Sequence, residues 1–175
     1  MTKGRPKDNV RCVVVDTNVL AVAQDMHGDA SDACRAACAA LIGRIQEGRY
    51  IVALDTETSG EAILAEYIKR LRGTGQSGIS TKLVQKLIRN KRNASLCRPV
   101  EITPSGANSG SYDEIPAALR DFDNDDHKWF AVAVAEGNRP RIYQALDQAW
   151  WRRRHDIADA RIDVGFLCEL DLPDD

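Results

Sequence analysis

The sequence predicts an α/β fold of three layers, α/β/α, around a central parallel sheet of about four to five strands. Short apolar runs rich in β-branched residues alternate with stretches patterned as helices. Two of the runs close abruptly on an acid, Asp16 and Asp55. The 175 residues suit one domain with a sizeable core. Residues 1–10 read as a flexible basic lead-in and 11–172 as a single domain.

Residues 12–15 (CVVV) form the first strand, closed by Asp16, and Thr17 or Asn18 can cap the helix that follows. Residues 31–47 carry Ala33, Ala37, Ala40, Leu41 and Ile45 at helical spacing, and Gly48 ends that helix. Residues 50–54 are a second strand. Ser59 can cap a helix to about Leu71, with Ile63, Leu64, Tyr67, Ile68 and Leu71 on one face. After the Gly-rich loop 73–78 comes a basic amphipathic helix, about Ser80 to Asn90. Residues 98–102 read as an edge strand because of Pro99. Residues 103–112 are loop-like, and a short helix is expected around 115–120. A helix from Asp125 or Asp126 runs to Glu136 and stops at Gly137-Asn138. Residues 141–144 make a fourth strand, 147–159 a helix and 163–168 a closing strand. Right-handed crossovers are expected.

Composition narrows the function classes. The apolar share of 43% and charged share of 29% are those of a globular protein. No apolar run approaches the roughly 20 residues that cross a bilayer, and the polar start has no signal core, so no membrane role and a cytoplasmic location are expected. The five cysteines, Cys12, Cys34, Cys38, Cys97 and Cys168, form no Cys-x-x-Cys pair. Cys34 and Cys38, one helical turn apart, read as small core residues, and reduced thiols are expected. A net charge of -2 does not by itself announce a nucleic-acid binder.

The acids carry the chemistry. In a parallel sheet, sites gather outside the carboxyl ends of the strands, where the strand order reverses. Asp16 stands at such an end, and so does Asp147, two residues beyond its strand; each alone could equally be a helix cap. Glu66 lies inside an apolar helical stretch, with Glu61 and Asp55 as nearby alternatives. Asp121, Asp123, Asp125 and Asp126 crowd the start of an apolar helix, more acids than a cap requires. Hard divalent cations prefer such oxygen ligands. With three His, none at metal-binding spacing, hydrolysis by an ion-activated water fits these residues better than a His-based mechanism.

In sequence order, Val13-Val14-Val15-Asp16-Thr17-Asn18, Ile63-Leu64-Ala65-Glu66-Tyr67, Asp123-Asn124-Asp125-Asp126-His127 with the Ala-rich helix after it, and Ile142-Tyr143-Gln144-Ala145-Leu146-Asp147 resemble the four acidic elements of PIN domains. The resemblance spans roughly residues 11–170. It implies Asp16, Glu66, Asp126 and Asp147 as catalytic and metal-binding residues, Asn18 and Thr17 as support, Mg²⁺ or Mn²⁺ as cofactor, and hydrolysis of RNA phosphodiesters. It further implies an endoribonuclease that can be of the toxin type, with an inhibitory partner protein and a homodimer as expected partners. Ala145 and Ala149 depart from the pattern, where a Thr or Ser and a second Asp often stand. That departure supports the alternative, a catalytically degenerate PIN-like module for protein or RNA interaction. A phosphohydrolase of the Asp-x-Asp type is disfavoured, because Asn18 stands at its second acid.

An acidic pit that accepts a polyanion needs a basic rim. Lys82, Lys86, Arg89, Arg152 and Arg153 are the candidates for nucleic-acid binding, with solvated helix faces as the plain alternative. Lys69, Arg70 and Arg72 lie just before that basic helix. Trp150 and Trp151 could stack on bases but are expected in the core, at least one of them. His127 is expected on the helix surface.

Overall fold

The computed structural model describes residues 11–74, 77–106 and 110–173; the lead-in 1–10 and parts of the loops 73–78 and 103–112 lie outside them. In chain order the elements are β1 (Arg11–Val15), α1 (Thr17–Ala23), α2 (Asp32–Gln46), β2 (Tyr50–Asp55), α3 (Ala62–Leu71), α4 (Ile79–Arg89), β3 (Cys97–Val100), α5 (Asn124–Ala135), β4 (Arg141–Gln144), α6 (Gln148–Arg152), α7 (Arg154–Asp159) and β5 (Val164–Phe166). All five strands are parallel, in the order β3-β2-β1-β4-β5, with helices on both sides. The architecture is the three-layer α/β/α arrangement that the alternation of runs predicts.

The sequence of each strand follows from its place in the sheet. Val13, Val14 and Val15 are at most 1% exposed because β1 is central and covered on both faces, so its run is uniformly apolar. Pro99 lies in β3, which pairs only with β2, so one rim of that strand needs no ladder donor. Moving outward from β1 through β2 to β3, the chain carries α1 to α4, which contact one another. It then returns through α5, which lies against β1, β2 and β4, to build β4 and β5 on the other side. Trp129, Trp150, Tyr67 and Phe130 are the largest fully buried side chains. Trp150 stacks on Phe130 with ring centroids 4.4 Å apart, and Tyr67 on Trp129 at 5.9 Å. Among the described residues no helix is long and apolar enough to cross a membrane.

Several local expectations are corrected. Asp16, not Thr17 or Asn18, caps α1: its carboxylate accepts the Asn18 N–H at 2.7 Å. Ser59 sits in a 3-10 turn and does not cap α3. The buried Asp55 carboxylate takes that role from seven residues away, accepting the N–H groups of Ala62 at 2.7 Å and Ile63 at 2.9 Å. Ile68 is 44% exposed and lies off the apolar face of α3. The helix expected over 147–159 breaks at Arg153 into α6 and α7. Cys34 and Cys168 are joined in a disulfide, against the expectation of reduced thiols, because the fold brings residues 134 positions apart into contact.

Asp55 joins the end of β2 to the start of α3 through two charge-assisted hydrogen bonds in a buried place. Asp55→Ala leaves both N–H groups unsatisfied, and a loss of about 1–3 kcal/mol of stability is expected. Urea unfolding followed by circular dichroism measures it; a midpoint equal to wild type would remove Asp55 from this role.

Candidate functional site

The strand order reverses at β1, with β2 on one side and β4 on the other. Asp16 is the first residue past the carboxyl end of β1, at this switch point. Its main-chain N–H donates to the Tyr143 carbonyl of β4 at 2.9 Å. The Tyr67 hydroxyl of α3 donates to the carbonyl of Val15. The chain at this point is therefore fixed from both flanks, and the Asp16 residue is only 4% exposed.

Burial pushes the Asp16 carboxyl up to about 7. The Asn18 N–H opposes the rise, and the charges of Asp126, Glu66 and Asp147 add to it. The four acids selected from the sequence thus act on one another across the fold. The reason is topological: α3 starts just past β2, α5 begins above the carboxyl edge before descending to β4, and Asp147 follows β4.

Each acid has a distinct setting. Asp126 lies in the first turn of α5, half-buried, and burial raises its carboxyl to about 6. The nearby Trp150 indole N–H and Lys128 oppose the rise, while Asp147 and Asp123 add to it. That indole N–H is buried and has no partner in hydrogen-bonding geometry among the described residues. Glu66 accepts the Thr17 hydroxyl at 2.5 Å and forms an ion pair with Lys128. Asp147 caps α6, its Oδ1 accepting the N–H groups of Ala149 at 2.8 Å and Trp150 at 3.2 Å. Among the described residues, Asp16 and Asp147 each keep a second oxygen with no hydrogen bond.

The other acids of the neighbourhood are engaged elsewhere. Asp121 binds Arg153 at 2.7 Å, Asp123 caps α5, and Asp125 is exposed. Glu61 receives the Lys91 ammonium at 2.6 Å, and Asp55 caps α3.

Lys128 is the residue that sequence reasoning passed over. Its side chain is 8% exposed, paired with Glu66 and donating to the Asp125 carbonyl. One signal could have found it: a lysine standing immediately before the apolar stretch 129–134, on the helix that carries the acids. His127 is buried, not on the surface, and neither ring nitrogen has a hydrogen-bond partner among the described residues.

Compared with protein-family models, curated proteins and solved structures, the chain matches none.

A cavity of about 680 Å³ is lined by Thr17, Asn18, Glu66, Lys69, Arg70 and Lys128, among others; of the four acids Glu66 lines it, and Asp16, Asp126 and Asp147 do not. Lys69 and Arg70, on α3, are its exposed cations. None of Lys82, Lys86, Arg89, Arg152 and Arg153 lines it. Lys86 donates to the Gln46 carbonyl at 2.8 Å, and Arg152 to Gln148 at 3.3 Å. Arg153 holds Asp121 and Asp156 and lies 4.2 Å over the Phe122 ring. Trp150 belongs to the core, and Trp151 packs edge-on against Phe166. The acids stand apart: among the described residues, the single group of three or more candidate ligands with all donor atoms within 4.8 Å of one another is Cys34, Cys38 and Cys168.

The pH dependence of stability follows from Asp16 and Asp126. Unfolded, both titrate near 3.8; folded, near 7 and 6. The folded chain holds these protons more tightly, so their contribution to stability is fully present below pH 3.8 and is lost as pH rises through about 6 to 7. With a chelator present, Asp16→Asn should melt higher than wild type at pH 8, and the gap should close toward pH 4. Each kcal/mol gained by removing the buried charge corresponds to about 2–4 °C. Parallel melting curves across this range would contradict the assignment.

Proposed function

We propose that the chain is a metal-dependent endoribonuclease of the PIN type, hydrolysing RNA phosphodiesters at the carboxylate cluster Asp16, Glu66, Asp126 and Asp147. The observation that carries this reading is Asp16 at the strand-order reversal, its carboxyl raised chiefly by burial and further by the charges of the other three acids. The donor set fits Mg²⁺ or Mn²⁺: all four are hard oxygen ligands, Asp16 and Asp147 each keep an oxygen free of hydrogen bonds among the described residues, and the buried carboxylates carry negative charge that a divalent cation would neutralise. Bound there, the ion supplies a hydroxide-like water and neutralises charge on the phosphate.

The protein's own groups do the rest. The Asn18 N–H and the Thr17 hydroxyl fix the Asp16 and Glu66 carboxylates. Lys69 and Arg70, which line the cavity on the same helix as Glu66, supply the cationic rim that draws in a polyanion and seats its phosphates. This assigns phosphate contact to α3 in place of the basic residues of α4 and α6. A cytosolic location is part of this proposal and rests on the RNA substrate it assigns.

One observation favours a second reading, the metal-free PIN-like interaction module. Lys128 already pairs with Glu66, so an ammonium stands where the nuclease needs an ion, and no three of the acids meet within 4.8 Å.

Two experiments decide. Purified protein with Mn²⁺ or Mg²⁺ should cut single-stranded RNA, and Asp16→Asn should lower the rate about 10²-fold or more; equal rates for the two sink the nuclease. Lys128→Ala strips the pair from the partly exposed Glu66 and should cost about 1–3 kcal/mol without metal. If the nuclease reading holds, Mn²⁺ restores most of that loss and calorimetry detects its binding to wild type. If the module reading holds, neither is seen. For the rim, Lys69→Ala with Arg70→Ala should weaken RNA binding and flatten its salt dependence, whereas Lys82→Ala with Arg89→Ala should not.

A further inference from the structure

Three cysteine sulfurs meet in the core, away from the acids. Cys34 and Cys38 lie on successive turns of α2, and Cys168 follows β5; the three residues are at most 3% exposed. All three sulfurs lie within 4.8 Å of one another. Cys34 and Cys168 are bonded, and Cys38 Sγ is 3.9 Å from Cys168 Sγ. A disulfide needs two sulfurs, and its presence gives no reason for a third to point at the same place.

We propose that Cys34, Cys38 and Cys168, when reduced, form a tri-thiolate site for a thiophilic divalent cation of the Zn²⁺ class. With Zn–S bonds of about 2.3 Å in a tetrahedron, neighbouring sulfurs sit about 3.8 Å apart. The Cys38–Cys168 separation of 3.9 Å matches that edge as it stands. Opening the disulfide lets Cys34 move to the same spacing, and the i, i+4 relation with Cys38 keeps both on one helix face.

Local electrostatics suit thiolates. Cys34 is in the first turn of the 15-residue α2, with its N–H capped by Ser31 at 3.1 Å. The helix dipole there favours a negative sulfur. Cys38 is the hard one to ionise, since burial pushes its thiol up to about 12; a bound cation removes that proton outright.

Access and a fourth ligand are both at hand. A cavity of about 390 Å³ opens on Cys34 and Cys168 and is also lined by Ser31, Glu169 and Asp171. It can admit the ion and leave a water or carboxylate in the fourth position. The Asp171 carboxylate, which accepts the Ser31 N–H at 2.8 Å, holds the segment carrying Cys168 against the start of α2.

The chemistry balances. A dithiol reductant supplies two electrons and two protons, which break the Cys34–Cys168 bond and leave two thiols. The cation then forms three metal–sulfur bonds and releases three protons to solvent. In a reducing compartment the metal-holding form is the resident one, and the disulfide is its oxidised counterpart. Being soft, the site discriminates against Mg²⁺ and is separate from the carboxylate cluster.

The test uses the full chain, reduced with dithiothreitol, freed of reductant under nitrogen, and titrated with Co²⁺ and then Zn²⁺. The expected result is a thiolate-to-cobalt charge-transfer band that saturates at one ion per chain and is bleached by Zn²⁺. Cys38→Ser, which leaves the disulfide pair intact, should weaken binding about a hundredfold or more. Asp16→Asn should leave the band unchanged. Because a buried substitution can unfold the chain, wild type carries an independent measurement: Zn²⁺ should shield Cys34, Cys38 and Cys168 from alkylation, read by peptide mass mapping. The proposal is overturned if reduced wild type gives no charge-transfer band. It is equally overturned if Cys38→Ser binds with the same spectrum and affinity, or if Zn²⁺ leaves the alkylation pattern unaltered.

Discussion

Asp16 is held in place by its backbone before its side chain does anything. Its N–H is bonded to β4, the carbonyl just before it takes a hydroxyl from α3, and the strand it ends is buried on both faces. The carboxyl therefore cannot swing to water, and its desolvation has to be met locally. The surroundings answer it in order of distance. The Asn18 N–H bonds to it directly. Thr17, the next residue, turns its hydroxyl to Glu66, and Lys128 holds Glu66 from the other side. A single buried charge at a strand end thus organises α1, α3 and α5 around one point.

Charge balance at that point is incomplete. Four carboxyls face one buried ammonium. Burial first, and the neighbouring carboxylates after it, favour the protonated forms, which is why Asp16 and Asp126 titrate near 7 and 6. A proton, the Lys128 ammonium and a divalent cation are three ways of satisfying the same electrostatic deficit. Lys128 satisfies only part of it, because its pairing with Glu66 leaves Asp126 and Asp147 facing each other and Asp16. That residual deficit is why the nuclease reading stands ahead of the module.

What could be read from the sequence and what could not divides along the range of the interaction. The Val-rich run closed by Asp16 was legible because a central parallel strand must be apolar on both faces. Pro99 marked an edge for an equally local reason. Asp126, which the resemblance implies as a ligand, is half-buried and its charge acts on Asp16, while Asp125 is exposed. The capping of α3 was misassigned because the carboxylate responsible, Asp55, reaches across a 3-10 turn while Ser59 is nearer in sequence. Arg153 was a candidate for nucleic-acid binding, yet Asp121 and Phe122 draw it inward. Lys128 left only a faint local signal, its place before an apolar stretch, and Cys168 none, because each gains its meaning from residues dozens of positions away, Glu66 and Cys34.

The acids and the cysteines are linked through one element. Asp16 caps α1, and α1 packs on α2, which carries Cys34 and Cys38 in the same continuous core. Their ligand chemistry nevertheless keeps them apart. Carboxylates hold their charge at neutral pH or near it, and favour ions that keep their water; thiolates must be made by the ion itself and favour ions that shed it. The Mg²⁺ or Mn²⁺ proposed for the acids is thus poorly held by the sulfurs. The sulfur site binds its own ion by replacing a covalent tie between α2 and the end of β5 with a coordinate one. Either link, S–S or metal, fastens the last strand to α2, so the closing edge of the sheet stays anchored in both redox states.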